Sequence, residues 1–220
     1  MVSNMGQFKK GLLYGVGTDD TNYPKERRVY RGNASRVVWY CPIYSRWRNM
    51  LKRCYTNSDS AYSGVTVCDS WLVFSNYKMW YDAQVKLEVP FDVDKDLLQG
   101  LNRVYSPETC LILPKRINNF LAVASKGLPG TYFEATRNKF QAYCQSLDGT
   151  RKHLGRYESE MEAHRAWQLY KTTQIEDMVE EFKGLPNLDQ RVIPQLEKIK
   201  DKLKKDVELN KPTFNLKLEG

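Results

Sequence analysis

Between Thr131 and Phe182 the side-chain period changes once, from two residues to about three and a half, and that single change leaves few folds open. ThrTyrPheGluAla at 131–135, LysPheGlnAlaTyrCysGln at 139–145 and ArgLysHisLeuGlyArgTyr at 151–157 alternate as strands. The turns between them hold Asn138 and Asp148-Gly149, residue types that tolerate the left-handed backbone of tight hairpins. Ser159 followed by Glu162 forms a capping box, and the helical period that starts there runs to about Phe182. Ala163, Ala166, Trp167 and Tyr170 form its apolar stripe and turn toward the sheet. Three antiparallel strands backed by one helix are expected over residues 131–183.

The chain before this module reads differently. Residues 1–37 form a basic arm or loose hairpin in which Lys25, Arg27, Arg28, Arg31 and Arg36 can follow a polyanion backbone. Pro42 opens a helix to Tyr55, since a proline in the first turn gives up no hydrogen bond. Ile43, Trp47, Met50, Leu51 and Cys54 make its core stripe, leaving Arg46, Lys52 and Arg53 outward. A strand at 65–67 and an aromatic-rich helix from Trp71 to Gln84 follow. The rings of that helix read as core rather than as a stacking platform. LysGlyLeuProGly at 126–130 is a linker, and beyond a loop at 184–194 an amphipathic helix reaches about Val207 within a tail at 184–220.

Charge gives the first functional constraint. The net charge is +8, and residues 1–130 carry 18 Lys and Arg against 11 Asp and Glu. In the C-terminal module, residues 131–157 carry five basic against two acidic side chains and residues 158–184 three against seven, so the sheet is expected to face a polyanion and the helix water. No apolar run approaches the roughly 20 residues of a membrane span, and no signal peptide is evident, so an intracellular location and no membrane partner are expected. The five cysteines lack CxxC pairing. Cys41, Cys54, Cys68 and Cys110 read either as four ligands of a structural zinc or as buried free thiols.

The stretch Val93 to Phe120 carries the candidate chemistry. Asp94, Lys95 and Asp96 follow Val93 so that two carboxylates fall on one side of a strand and the lysine on the other. A turn at Gly100 and Asn102, an apolar strand and a helix with Asn118 and Asn119 follow. One carboxylate with an amide oxygen from Asn118 or Asn119 can hold Mg²⁺, which takes oxygen ligands and keeps several waters. The stretch contains no histidine.

TyrSerArgTrpArgAsnMetLeuLysArgCysTyr (44–55), GlyValThrValCysAspSerTrp (64–71), ValAspLysAsp (93–96) and TyrSerProGluThrCys (105–110) together resemble phage-type HNH homing endonucleases. The strands and helix at 131–182 resemble the Apetala-two-type DNA-binding domain of plant ethylene-response factors. The resemblance covers residues 38–182. It implies an α+β chain: a small ββα-metal nuclease domain at 38–125, a three-stranded antiparallel sheet plus helix that binds DNA at 131–183, and an amphipathic C-terminal helix. By position Asp94, Lys95 and Asp96 become the catalytic group, and Asp94 with Asn118 or Asn119 the Mg²⁺ or Mn²⁺ ligands. Lys95 stands where the family's general-base histidine sits, and Thr109 where an asparagine orients that histidine. Both departures touch activation of the attacking water, for which lysine is a poor base near pH 7 unless its surroundings lower its pKa.

In the C-terminal module Arg137, Lys139, Arg151, Lys152 and Arg156 are the expected DNA-binding donors, with Tyr143 adding a base or sugar contact. His153 and His164 are expected on the sheet and helix surfaces. The resemblance thus implies a metal-dependent endonuclease that nicks or cleaves double-stranded DNA at a recognised site, phage-encoded and active in a bacterial host's cytoplasm. The alternative is a DNA-binding protein of the same descent whose catalytic site has decayed, acting as repressor or competitor.

Overall fold

Pro42 does open the first helix, and the residue before it explains why the chain turns there. Cys41 is extended and its sulfur accepts from the Tyr44 N–H at 3.4 Å, capping a helix whose first turn carries no acid. The computed structural model describes residues 11–56, 62–84, 90–98, 100, 103–123, 127–185 and 188–216. Residues 1–10 of the expected arm and Asn102 of the expected turn lie outside them. In chain order the elements are β1 (Glu26–Arg31), β2 (Ala34–Tyr40), α1 (Pro42–Tyr55), β3 (Thr66–Val67), α2 (Phe74–Ala83), β4 (Phe91–Asp94), β5 (Val104–Tyr105), β6 (Leu111–Pro114), α3 (Lys115–Leu121), β7 (Thr131–Glu134), β8 (Lys139–Gln145), β9 (Arg151–Tyr157), α4 (Glu160–Lys183) and α5 (Val192–Glu208). The fold is mixed α+β with small sheets. Among the described residues no helix is long and apolar enough to cross a membrane.

Contacts divide the chain into two compact units, residues 1–84 with 103–109, and 85–102 with 110–220. In the first, β1 and β2 form an antiparallel ribbon and β3 pairs with β5 in parallel. Trp47, Met50 and Leu51 of α1 are buried, and the Trp47 indole donates to the Trp71 carbonyl at 2.7 Å. The aromatic stretch after β3 does form core: Trp71, Phe74 and Tyr77 are buried. It is broken, however, into a 3₁₀ turn at Asp69–Leu72 and then α2. Arg53 is turned in rather than outward, its guanidinium 5.0 Å from the Tyr62 ring centroid.

In the second unit β4 pairs antiparallel with β6, and α3 follows without a loop. All four residues of β6 are buried, and its Leu111 and Leu113, with Ile117, Phe120 and Leu121 of α3, face one core shared with α4 and α5. The borders expected at 125 and 131 therefore do not separate two cores. Apolar residues from Leu97 to Leu216 pack in a single cluster.

The strands β8 and β9, the capping box and the start of α4 lie where the sequence places them. Gly130, at φ +80°, approaches Trp167 so closely that a side chain there would run into the indole. The expectation that α4 turns its far side to water holds for one stripe, where Glu162, Arg165, Thr173, Asp177 and Glu180 are exposed, and fails on the flanks beside it. His164, Gln168, Lys171, Thr172 and Met178 are all buried, because α3, α5 and the segment 211–213 cover α4 between the sheet and that exposed stripe. His164 is fully buried, not on the helix surface: Nδ1 lies 2.7 Å from the Pro129 carbonyl, and Nε2 accepts from the Thr213 N–H at 2.9 Å. The second bond requires a neutral ring with its proton on Nδ1. Pro194 sits inside α5, in the first turn, where its missing N–H is no loss.

Candidate functional site

Strand β4 ends at Asp94, and the chain bends through Lys95 and Asp96. Asp94 and Asp96 therefore do not share one side of a strand. Alternation instead pairs Asp94 with Asp92, two residues earlier, a carboxylate the sequence reading passed over. The Asp94 Oδ1 closes the bend, accepting from the backbone N–H of Asp96 at 3.0 Å and of Leu97 at 2.7 Å. The Lys95 ammonium forms an ion pair with Asp96, and both Asp94 and Lys95 are buried.

The helix α3 brings an amide to this strand. Asn118 Nδ2 donates to Asp92 Oδ2 at 3.4 Å. Asn119, one position on and so about 100° around the helix, faces elsewhere. It lines a cleft of 410 Å³ with Phe120, Tyr143, Arg151 and Lys171. Asn118 is thus the amide associated with the β4 carboxylates. For it and Asp92 to hold one cation, the amide must present its oxygen, a half-turn about χ2. A carboxylate and an amide oxygen with water completing the shell fit the coordination habits of Mg²⁺. Among the described residues no three or more His, Cys, Asp or Glu side chains gather as the ligands of a metal ion. Cys41 caps α1, Cys68 has its sulfur 3.3 Å from the Ser70 hydroxyl, Cys54 lies in α1, and Cys110 belongs to the second unit. Thr109 spends its hydroxyl on the turn that follows β5, accepting from Ser106 N at 3.0 Å and donating to the Val104 carbonyl at 2.7 Å.

On the C-terminal sheet the expected donors divide. The register Tyr132↔Gln141↔Arg156, with Glu134 opposite Lys139 and Tyr143 opposite His153, defines the face turned away from α4. Arg151 shares it, its guanidinium 4.1 Å from the Tyr143 ring centroid. Lys152 does not, since its ammonium lies 4.8 Å from the ring of Tyr170 on α4. Lys139 pairs with Glu158. Glu134, which sequence reading did not single out, sits between Arg137 and Arg156 and binds both, with Arg156 Nε at 2.8 Å. The Arg156 hydrogen bond, helped by Gln141 and Arg137 and opposed by desolvation, holds its carboxyl at about 2. Three of the five cations expected to meet phosphate are therefore internally paired, and among the described residues Arg151, stacked on Tyr143 beside exposed His153, is the donor on this face that joins no ion pair.

Lys171 is the other group found only by folding. Its ammonium donates to the Phe120 carbonyl and lies 3.4 Å from that ring's centroid, fixing α3 on α4. Burial brings its pKa down to about 8, while burial beside it pushes the Cys144 thiol up to about 11.

The fold and the side-chain geometry define a mixed α+β protein with an acid-bearing strand pair next to a short helix and a cation-bearing antiparallel sheet. No protein-family model, curated protein or solved structure matches the chain.

Proposed function

We propose that the chain is a site-directed DNA endonuclease of the HNH homing type, phage-encoded and active with Mg²⁺ or Mn²⁺ in a bacterial cytoplasm. The observation that carries the reading is the β4–β6–α3 order, in which Asp92 and Asp94 share a side of the strand and Asn118 reaches Asp92 from the helix. Asp92, Asp94 and Asn118 are the groups that would hold the metal. Bound there, it would stabilise the leaving oxygen of a phosphodiester. Asp94 fixes the bend that carries Lys95, and Asp96 holds the Lys95 ammonium in place of the histidine expected in such enzymes. The outward face of β7–β9 positions the duplex through Arg151, Arg156 and Tyr143.

A second reading has its own support. The Asp94 Oδ1 is already committed to two backbone N–H groups, and residues 93–120 contain no histidine, as in a DNA-binding protein whose catalytic centre has decayed.

Incubation with supercoiled plasmid and Mg²⁺ or Mn²⁺ separates the two. Nicking that disappears in Asp92→Asn and Asp94→Asn supports the endonuclease. Duplex binding without any loss of supercoiled DNA supports the decayed form, and absence of duplex binding removes both. Metal analysis of the purified protein decides the four-cysteine zinc: less than about half an equivalent excludes it.

A further inference from the structure

The ribbon β1–β2 buries almost nothing. All six residues of β1 are exposed, Tyr30 at 70% and Val29 at 50%, and among the described residues no third strand pairs with either edge. A free two-stranded ribbon is marginal in water, so a chain that keeps one with both faces open is presenting it to something.

Its two faces differ in charge. The pairs Val29↔Arg36 and Arg31↔Ala34 lie on one side, and alternation along β1 adds Arg27 to it. The bulge opposite Arg27 and Arg28 is on β2, so β1 keeps its alternation. Glu26, Arg28, Tyr30 and Ser35 occupy the other side, where Arg28 donates to Glu26 at 2.6 Å and to Ser35 at 3.2 Å. Glu26 is the only acid between residues 26 and 40. The Arg27, Arg31 and Arg36 face therefore contains no carboxylate, and among the described residues none of the three joins an ion pair. Gly32, at φ +57° with open space around it, makes the tip of the ribbon small.

We propose that the Arg27, Arg31 and Arg36 face of β1–β2 is a second DNA-contacting surface that enters the major groove of duplex DNA, separate from the sheet β7–β9. A two-stranded ribbon fits a groove about 12 Å wide. At a rise of about 3.3 Å per residue, Arg27 and Arg31 stand roughly 13 Å apart along one strand, enough to reach phosphates on both walls. The assignment rests on the reading that the protein binds DNA, and not on cleavage.

The test is anisotropy titration of a fluorescent duplex of about 30 base pairs at several salt concentrations. The proteins compared are wild type, Arg27→Ser/Arg31→Ser/Arg36→Ser, Arg28→Ser and Arg151→Ala/Arg156→Ala. Each lost phosphate contact lowers the slope of log affinity against log salt by about 0.9, so the triple variant is expected to lower it by about 2 to 3 and weaken binding at least tenfold. Arg28→Ser, on the opposite face, leaves the slope unchanged. Guanine N7 protection from methylation should shrink in the triple variant at positions the sheet variant still protects. An unchanged slope in a triple variant with the wild-type circular dichroism spectrum overturns the proposal, even if the sheet variant weakens binding. An acidic polypeptide whose binding the triple variant abolishes while duplex affinity stays whole overturns it in favour of a protein partner. Failure of the wild type to bind any duplex overturns it together with the functional reading. Duplex binding without cleavage leaves it standing.

Discussion

Between pH 4.5 and about 2 the unfolded chain takes up a proton at Glu134 that the folded chain refuses, because Arg156, Gln141 and Arg137 favour the ionised form. That stabilisation is complete above pH 4.5 and is lost as pH falls through the folded value. Arg156→Ala should move the Glu134 titration, followed by carboxyl-carbon NMR, back toward 4.5. No movement would mean that Arg156 is not its main partner. Lys171 acts at the other end of the scale. Burial lowers its pKa from 10.5 to about 8, so over that interval the unfolded chain holds a proton the folded chain has shed, and stability rises with pH. Cys144 opposes it from pH 9 to about 11, where its thiol ionises first in the unfolded chain. Urea unfolding should therefore show a gain from about pH 8 to 9 that flattens above, and Lys171→Met should erase the gain while keeping the volume of the side chain. A gain that survives in Lys171→Met would assign it to another group.

At the scale of the element, two short devices decide whether the candidate site forms. Asp94 ends β4 by accepting two backbone N–H groups, so Asp94→Ala is expected to cost about 1–3 kcal/mol of stability, whereas Asp94→Asn keeps an acceptor and costs less. Equal losses in both would show that the charge, rather than the bend, is what β4 needs. Gly130 leads into β7 with a positive φ and no room between it and Trp167. Gly130→Ala should lower stability by roughly 2–4 kcal/mol, the sum of left-handed strain and displacement of a buried indole. A loss under about 1 kcal/mol by chemical denaturation would contradict the close approach.

At the scale of the whole molecule, the β4–β6–α3 element and the sheet β7–β9 depend on one core in the second unit, to which α5 contributes Val192, Leu196, Ile199 and Leu203. Leu196→Ala should remove about 2–5 kcal/mol. Because the core is shared, amide exchange should quicken in β6 and β8 together, although those strands belong to different regions of the sequence reading. Protection lost in one and kept in the other would restore two independent cores. The C-terminal helix, which by sequence docks by one stripe, is part of what holds the candidate site's own helix.

Sequence was sufficient wherever the physics is local. The strands at 139–145 and 151–157, the Ser159–Glu162 cap and the helix at 42–55 follow from alternation, turn chemistry and caps that act within a few residues. The acid-strand-helix order around Asp94 was also legible, but its partners were not. That Asp92 rather than Asp96 shares Asp94's side depended on where β4 stops, and Asn118 rather than Asn119 on how α3 rolls against its core. The Glu134–Arg156 pair, the His164–Thr213 bond and Lys171 under Phe120 join residues 22, 49 and 51 positions apart. Charge pairing and burial act across space while a sequence period records only neighbours along the chain, so composition could mark the basic surfaces, but only tertiary structure could show which cations remain open on them.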